Sequence, residues 1–348
     1  MSLGERLVVL VLLGGVLAVY GAAGAVVVEW VARHFRPAER PLSRPAAWAR
    51  YAVLGLAGLG TLCVAYAHFI EPRRLQVTHV CITSAKLSSS SRSIRIVHIS
   101  DLHCEAESGL EQRLPDVIRA EWPDIIVFTG DALNSAAGLP GFKDCMTRIG
   151  RIAPTFAVSG NWDAWYWRDL DLYGGTGVRR LTCEAVPVEV RGTEVWVAGA
   201  PPDGGETIGL TMARVPAGAL CVFLYHYPSA IAEVSRCGAD LLCAGHTHGG
   251  QVALPFYGAL ITLSATGKRH EAGLYRVDRT WLYVNRGIGM EGGVPRLRFC
   301  ARPEVTVIDI EPLTKCRVGR VTPPAGWMQV KATTCQGEAH RGDFARSV

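Results

Sequence analysis

The 348-residue sequence predicts an α/β protein of two mixed sheets packed together with helices outside, preceded by two transmembrane helices. Three observations carry that prediction. Short β-branched apolar runs alternate at first with helix-like segments, and strands dominate later. Five of these runs end beside a side chain able to bind metal, three of them with glycine at the junction. Two long apolar stretches precede the first strand, with no partner layer of their own.

Residues 7–28 are apolar and uncharged. At about 1.5 Å per residue, such a helix crosses a bilayer core of roughly 30 Å. The run is longer than the apolar centre of a usual signal peptide. A second run, 51–70, is interrupted only by His68, which favours two spans over a cleaved leader. Residues 1–74 therefore form a membrane anchor, and the expected location is the inner (cell) membrane, crossed twice. Arg33, Arg36, Arg40, Arg44 and Arg50 lie in or beside the connecting segment, which the positive-inside rule assigns to the cytoplasm. Arg73 and Arg74 compete for the same side. Eleven scattered cysteines without a C-x-x-C pair fit a reducing compartment. The signals oppose one another, so the side of the following domain stays open.

Residues 75–83 read as a strand and the serines at 88–91 as a joint. The runs at 94–100, 124–129 and 155–159 read as strands, with helical patterns at 109–121 and 141–152 between them. Strands follow at 186–190, 194–198, 220–225, 241–244, 274–277, 281–284 and 304–310. The catalytic domain is expected over 75–312, and 313–348 as a polar, loosely ordered tail. A net charge of +5 is too mild to argue for nucleic acid, and no aromatic-basic interleaving marks a single-strand binder.

The chemistry lies at the strand ends. Asp101-Leu102-His103 follows the second strand, Gly130-Asp131 the third and Gly160-Asn161-Trp162-Asp163 the fourth. His226 follows 220–225, and Gly245-His246-Thr247-His248 follows 241–244. Polar ligands at successive strand ends are how an α/β sheet builds a site along one rim. Asp101, His103, Asp131, Asn161, His226, His246 and His248 include no thiolate, which favours Mn, Fe, Zn or Mg over a structural zinc. They are more donors than one ion needs. Two cations about 3.5–4 Å apart would use them all, acidifying a water and clamping phosphoryl oxygens. Asp131, the lone ligand of its loop, is the natural bridge. Asp163 is expected to orient a ligand histidine. Arg286 is a candidate for neutralising substrate phosphate, whereas Lys268 and Arg269 read as solvated charge. His98, inside a strand, reads as a core or edge histidine. The aromatics Trp162, Trp165, Tyr166 and Trp167 could stack on a base, touch lipid or pack the first helical turn.

Asp-x-His, Gly-Asp, Gly-Asn-x-Asp, His and Gly-His-Thr-His, in that order, resemble the calcineurin-like metallophosphoesterases. The resemblance covers roughly residues 75 to 312. The segments Gly245-His246-Thr247-His248-Gly249-Gly250-Gln251 and Val284-Asn285-Arg286-Gly287-Ile288-Gly289 look like the membrane-associated bacterial branch, which includes a UDP-2,3-diacylglucosamine pyrophosphatase. The resemblance implies a four-layer α-β-β-α sandwich and two divalent metal ions, manganese favoured. Asp101, His103 and His248 would hold one ion, Asn161, His226 and His246 the other, with Asp131 bridging. Asp131, Asn161 and His226 are the residues expected to matter most for catalysis. One position departs from the family, which usually has histidine after the asparagine; here it is Trp162. An indole N–H can donate a hydrogen bond but cannot deliver a proton.

The function expected is a membrane-anchored two-metal phosphohydrolase acting on a phosphorylated small molecule or lipid. The alternatives are a general phosphodiesterase or phosphatase for soluble substrates, and a non-catalytic membrane scaffold.

Overall fold

The computed structural model describes residues 3–35, 42–203, 207–292 and 296–313. Arg36 and Arg40 lie outside these residues, as does the tail expected from 314 onward. Two helices come first, α1 (Leu3–His34) and α2 (Arg44–Phe69). Both are long and apolar enough to cross a membrane. Only 6% and 11% of their apolar windows are buried, so they are not core helices of the domain that follows. They pack side by side, with the Tyr20 hydroxyl meeting Thr61 Oγ1 at 2.9 Å and Glu29 pairing with Arg33 and Arg50.

The first sheet runs in the order β1 (Gln76–Ser84), β14 (Glu304–Pro312), β2 (Ile94–Ile99), β3 (Ile125–Phe128), β4 (Thr155–Ala157) and β5 (Arg179–Arg180). β2 to β5 are parallel, and β14 is antiparallel to β2. The second sheet runs β12 (Gly273–Val277), β13 (Thr280–Val284), β9 (Leu241–Ala244), β8 (Leu220–Leu224), β7 (Thr193–Gly199) and β6 (Glu184–Val190). Its inner pairs are parallel, and its two edges are the antiparallel hairpins β6–β7 and β12–β13. A small antiparallel pair, β10 (Ala253–Leu254) and β11 (Gly258–Ala259), stands apart.

Side-chain alternation along the strands produces four layers. Ile94, Ile96, Ile125 and Val127 meet Val195, Val197, Val222 and Leu241 between the sheets. On the outer face of the first sheet, Val97, Ile99, Ile126 and Phe128 pack on α3 (Leu114–Ala120) and α4 (Leu139–Gly150) through Leu114, Ile118, Phe142 and Met146. On the outer face of the second, Cys221, Phe223 and Leu242 pack on α6 (Ile208–Met212) and α7 (Ile231–Arg236). The two mixed sheets of the sequence reading are present, with the α-β-β-α layering. Both faces of each sheet are covered, which is why these strands read as nearly continuous apolar runs. Phe142, fully buried against Phe128 and Tyr173, shows what the packing carries. Truncating it to alanine would cost roughly 3–5 kcal/mol.

The short helices α6 and α7 and the β10–β11 pair were not expected. Segments of two to six residues are too short for periodicity to declare them.

The second helix is joined to the domain. Arg298 N donates to the Ala67 carbonyl at 2.9 Å, and the buried Glu71 carboxylate accepts from Ala301 N at 2.7 Å. His68 Nδ1 also stands 3.1 Å from the Arg296 carbonyl.

Candidate metal centre

The parallel strands of both sheets end along one rim, where the expected side chains meet. Asp101 and His103 follow β2, and Asp131 follows β3. Asn161 opens α5 (Asn161–Tyr166) after β4, His226 follows β8, and His246 and His248 follow β9. Close approach of the loops demands glycine. A Cβ on Gly160 would stand 2.1 Å from Asp131 Oδ1, and one on Gly245 would stand 1.9 Å from Ser100 Oγ. At Gly160 and Gly245 glycine supplies space and not a left-handed backbone, whereas Gly130 supplies both, with φ 95° and a Cβ that would stand 2.2 Å from Gly160 N. The left-handed conformation also falls on the ligand residues. Asp101, His103, Asp131, His246 and His248 have φ of 51°, 43°, 58°, 72° and 51°. Non-glycine residues pay for that conformation, and it clusters where a fold constrains a functional site.

The donor atoms converge in two groups. In one, His103 Nε2 and His248 Nε2 are 3.2 Å apart, and His248 Nε2 is 3.4 Å from Asp101 Oδ1. In the other, Asn161 Oδ1 lies 2.9 Å from His226 Nε2 and 3.1 Å from His246 Nδ1. Asp131 Oδ2 lies between, 3.7 Å from His103 Nε2 and 3.3 Å from His226 Nε2. Asp101, His103 and His248 form one cluster able to hold an ion, and Asp101, Asp131 and His226 a second, all buried.

Protonation supports the fit to a cation. His226 donates Nδ1–H to the Thr129 carbonyl at 2.7 Å, and His246 donates Nε2–H to the Leu263 carbonyl at 3.4 Å. With its Nε2 committed as a donor and burial lowering it to about 4, His246 presents an Nδ1 lone pair to Asn161 Oδ1, itself an acceptor, at 3.1 Å. A cation resolves that opposition. The charges point the same way. Burial pushes Asp101 up to about 7 and His103 down to about 4. His226 is the exception: the Asp131 carboxylate outweighs burial and raises it to about 9, so its Nε2 carries a proton toward Asp131 and Asn161 in the position a cation would take. Such a pocket of hard and borderline donors suits divalent ions.

Supporting residues emerge only in three dimensions. Asp163, expected to orient a ligand histidine, instead spends its carboxylate on the backbone. It accepts from the backbone N–H groups of Asp131 at 2.9 Å, Ala132 at 2.9 Å and Gly160 at 2.8 Å. It thereby ties the Asp131 loop to the Asn161 loop. Arg286 is held by the buried Glu304, at 2.8 and 3.2 Å, so its fork is committed within the protein. Trp162 sets its ring edge-on to His103, 5.3 Å between centroids, and its backbone N donates to Asp131 Oδ1 at 2.8 Å. Its indole N–H donates to Glu291 Oε1 at 3.4 Å. Burial raises Glu291 above the ordinary carboxylate range. His98 is a core histidine, bonded to Thr129 Oγ1 at 2.9 Å.

Sequence reasoning missed Glu291 and Arg298. Arg298 is fully buried, donates to the carbonyls of Arg286 at 3.0 Å and Gly287 at 3.3 Å, and lies 3.5 Å from His248 Nδ1. The signal was available: an arginine inside the apolar pattern Leu297-Arg298-Phe299 needs partners. A cleft of about 590 Å³ opens beside His103, lined by Leu102, Asn134 and Met290 and, from the end of the second helix, by His68 and Arg73.

The calcineurin-like phosphoesterase superfamily domain matches residues 94–253. The chain is 30% identical over 266 residues to the metallophosphoesterase YkuE of Bacillus subtilis, covering 71% of this chain and 89% of that protein. It is 28% identical over 264 residues to the phosphodiesterase YaeI of Escherichia coli, covering 70% and 92%. It is 23% identical over 304 residues to the UDP-2,3-diacylglucosamine pyrophosphatase LpxG of Chlamydia trachomatis, covering 70% and 91%. With that rim of donors between two mixed sheets, the chain belongs to the calcineurin-like metallophosphoesterases. It is a metal-dependent hydrolase of phosphoester or pyrophosphate bonds, in a family that works with two divalent cations.

Proposed function

We propose that the chain is a membrane-anchored phosphohydrolase of the inner membrane, crossing it twice, whose substrate is a lipid-linked phosphoester or phosphoanhydride such as UDP-2,3-diacylglucosamine. In this reading 1–74 is the anchor and 75–312 the catalytic domain. The observation that carries it is the cleft beside His103, because part of its wall is the end of the second apolar helix. A substrate with acyl chains could reach such a cleft without leaving the bilayer surface. The named activity of the chlamydial relative supports the substrate class.

Asp101, His103 and His248 would hold one cation, Asn161, His226 and His246 the other, with Asp131 shared. Bound there, two divalent ions, manganese favoured, supply Lewis acidity toward a phosphoryl oxygen and lower the pKa of water. The chain does the rest. Thr129 fixes the His226 ring so that Nε2 faces Asp131 and Asn161. Asp163 holds the Asp131 and Asn161 loops in register. Trp162 walls the His103 side and cannot protonate a leaving group. A phosphoanhydride, whose leaving group needs little protonation, fits that wall.

The test is turnover by the full chain in detergent or nanodiscs, with manganese and magnesium compared. The panel is UDP-2,3-diacylglucosamine, soluble pyrophosphates, bis-p-nitrophenyl phosphate and alkyl diesters. Faster cleavage of the lipid-linked pyrophosphate is expected. Equal or faster cleavage of soluble alkyl diesters sinks this substrate class, and no metal-dependent turnover of any substrate would leave only a scaffold.

A further inference from the structure

The β10–β11 hairpin and the loop after it carry apolar side chains that the described residues leave uncovered. Phe256, at the tip, is fully exposed, and Leu263 is 56% exposed. Tyr257 beside the tip is exposed as well. Phe256 and Leu263 have φ of 66° and 50°, a region where glycine or asparagine sits at little cost and bulky apolar residues are rare. Backbone comfort therefore does not account for these residue types, and neither does packing within the described chain.

Two contacts tie this loop to the ends of both apolar helices. Ala253 of β10 donates its N–H to the Phe299 carbonyl at 2.8 Å, and the Phe299 ring stands edge-on to Tyr66 in the last turns of α2, 6.3 Å between centroids. Gly267, after Leu263, lies against Glu5 in the first turn of α1, where a Cβ would stand 3.3 Å from the carboxylate oxygen. The loop thus continues the surface of the helix pair at its domain-side end. Lys268 lies 4.0 Å over the Tyr257 ring and, unlike the solvated charge expected, is paired with Glu271 at 3.1 Å and bonded to the Tyr257 and Ala259 carbonyls, which staples the hairpin to the loop after it. The same loop borders the metal centre, because the Leu263 carbonyl accepts from His246 Nε2 and the Glu271 carbonyl accepts from Thr247 Oγ1 at 2.6 Å.

We infer that residues 255–263 form a membrane-contact surface: Phe256, Tyr257 and Leu263 enter the headgroup region of the bilayer crossed by α1 and α2. The partner is a lipid surface, because the exposed side chains continue the helix pair at the level where it leaves the bilayer. The contact holds the His246 side of the centre against the interface. This inference rests on the membrane-anchored reading above.

The test uses the full chain in phosphatidylcholine nanodiscs, with and without lipids bearing a spin label on the acyl chain. A trifluoromethyl-phenylalanine replaces Phe256, Leu62 or Trp122 in turn, and fluorine NMR reads its line width. Leu62 faces outward in the second half of α2, within its apolar stretch, and Trp122 is exposed at the opposite end of the first sheet. The expected result is broadening at 256 and 62 and a sharp line at 122. A sharp line at 256 with broadening at 62 overturns the inference and leaves the anchor intact. A sharp line at 62 removes the anchored reading, and this inference falls with it. Equal broadening at all three positions overturns it too, since the contact would not be confined to this loop.

Discussion

His103 Nε2 and His248 Nε2 stand 3.2 Å apart although 145 residues separate them in the chain. Both rings are buried, and burial keeps each largely unprotonated. Two neutral imidazoles can share one proton at most, and Asp101 Oδ1 adds a third donor atom 3.4 Å from His248. Such a cluster is best satisfied by a divalent ion.

The first prediction is therefore stoichiometric. The full chain is expected to bind two equivalents of manganese, and His248→Ala one, by elemental analysis after gel filtration. Metal at a hundredfold excess over Kd should stabilise the wild type by about 2.7 kcal/mol per site. Two equivalents retained by His248→Ala would remove this residue from the ligand set.

Asp131 lies between the two groups, and its loop is anchored by backbone bonds to Asp163 that do not involve its own carboxylate. Asp131→Ala is expected to lose turnover of bis-p-nitrophenyl phosphate by about 10³-fold or more, on the scale seen when a principal electrostatic group is removed. Its circular dichroism should match the wild type. Normal turnover in this variant would falsify the bridging role.

Trp162 hands its N–H to Glu291, whose carboxyl is raised by burial. A raised carboxyl keeps its proton to higher pH, so it can serve as an acid on the low-pH side and loses that capacity as pH rises through its pKa. Glu291→Gln should therefore slow alkyl diesters more than pyrophosphates and flatten the alkaline fall of the alkyl diester rate. Trp162→His should raise alkyl diester turnover by about tenfold or more, since a placed general acid contributes roughly 10²–10⁴-fold. An unchanged ratio of alkyl to pyrophosphate rates in both variants would exclude this pair from leaving-group chemistry.

Arg298 ties the loop at 286–289 to the His248 side of the site, and its own backbone is bonded to Ala67. Arg298→Met is expected to weaken metal binding by about 10–100-fold, as loss of a residue supporting the ligands commonly does. Arg298→Lys should recover part of that affinity. A purely structural role would lower the melting temperature and leave the affinity of the folded fraction intact.

His98 offers a check on pH-dependent stability. Burial lowers it from the ordinary 6.5 to about 3, so the folded chain keeps it neutral where the unfolded chain takes up a proton. The unfolded state then binds more protons, and stability falls as pH drops from about 6.5 toward 3. His98→Gln should flatten that part of a denaturation profile. An identical pH slope in the variant would show that other groups dominate acid unfolding.

The strands and the ligand rim were legible because both are local. Alternation is read within five or six residues, and each ligand stands within a few positions of its strand end, as Asp101 does after Ile99 and His226 after Leu224. The family resemblance rests on the same short motifs. Tertiary structure decided what each supporting side chain touches. Trp162 meets Glu291 across 129 residues, Ala301 meets Glu71 across 230, and Arg286, after β13 of the second sheet, is committed to Glu304 on β14 of the first. Periodicity carries no record of such partners. A buried charge or a buried N–H must be satisfied by whatever group the packed chain brings within about 3 Å, and that is settled only when the sheets close on one another.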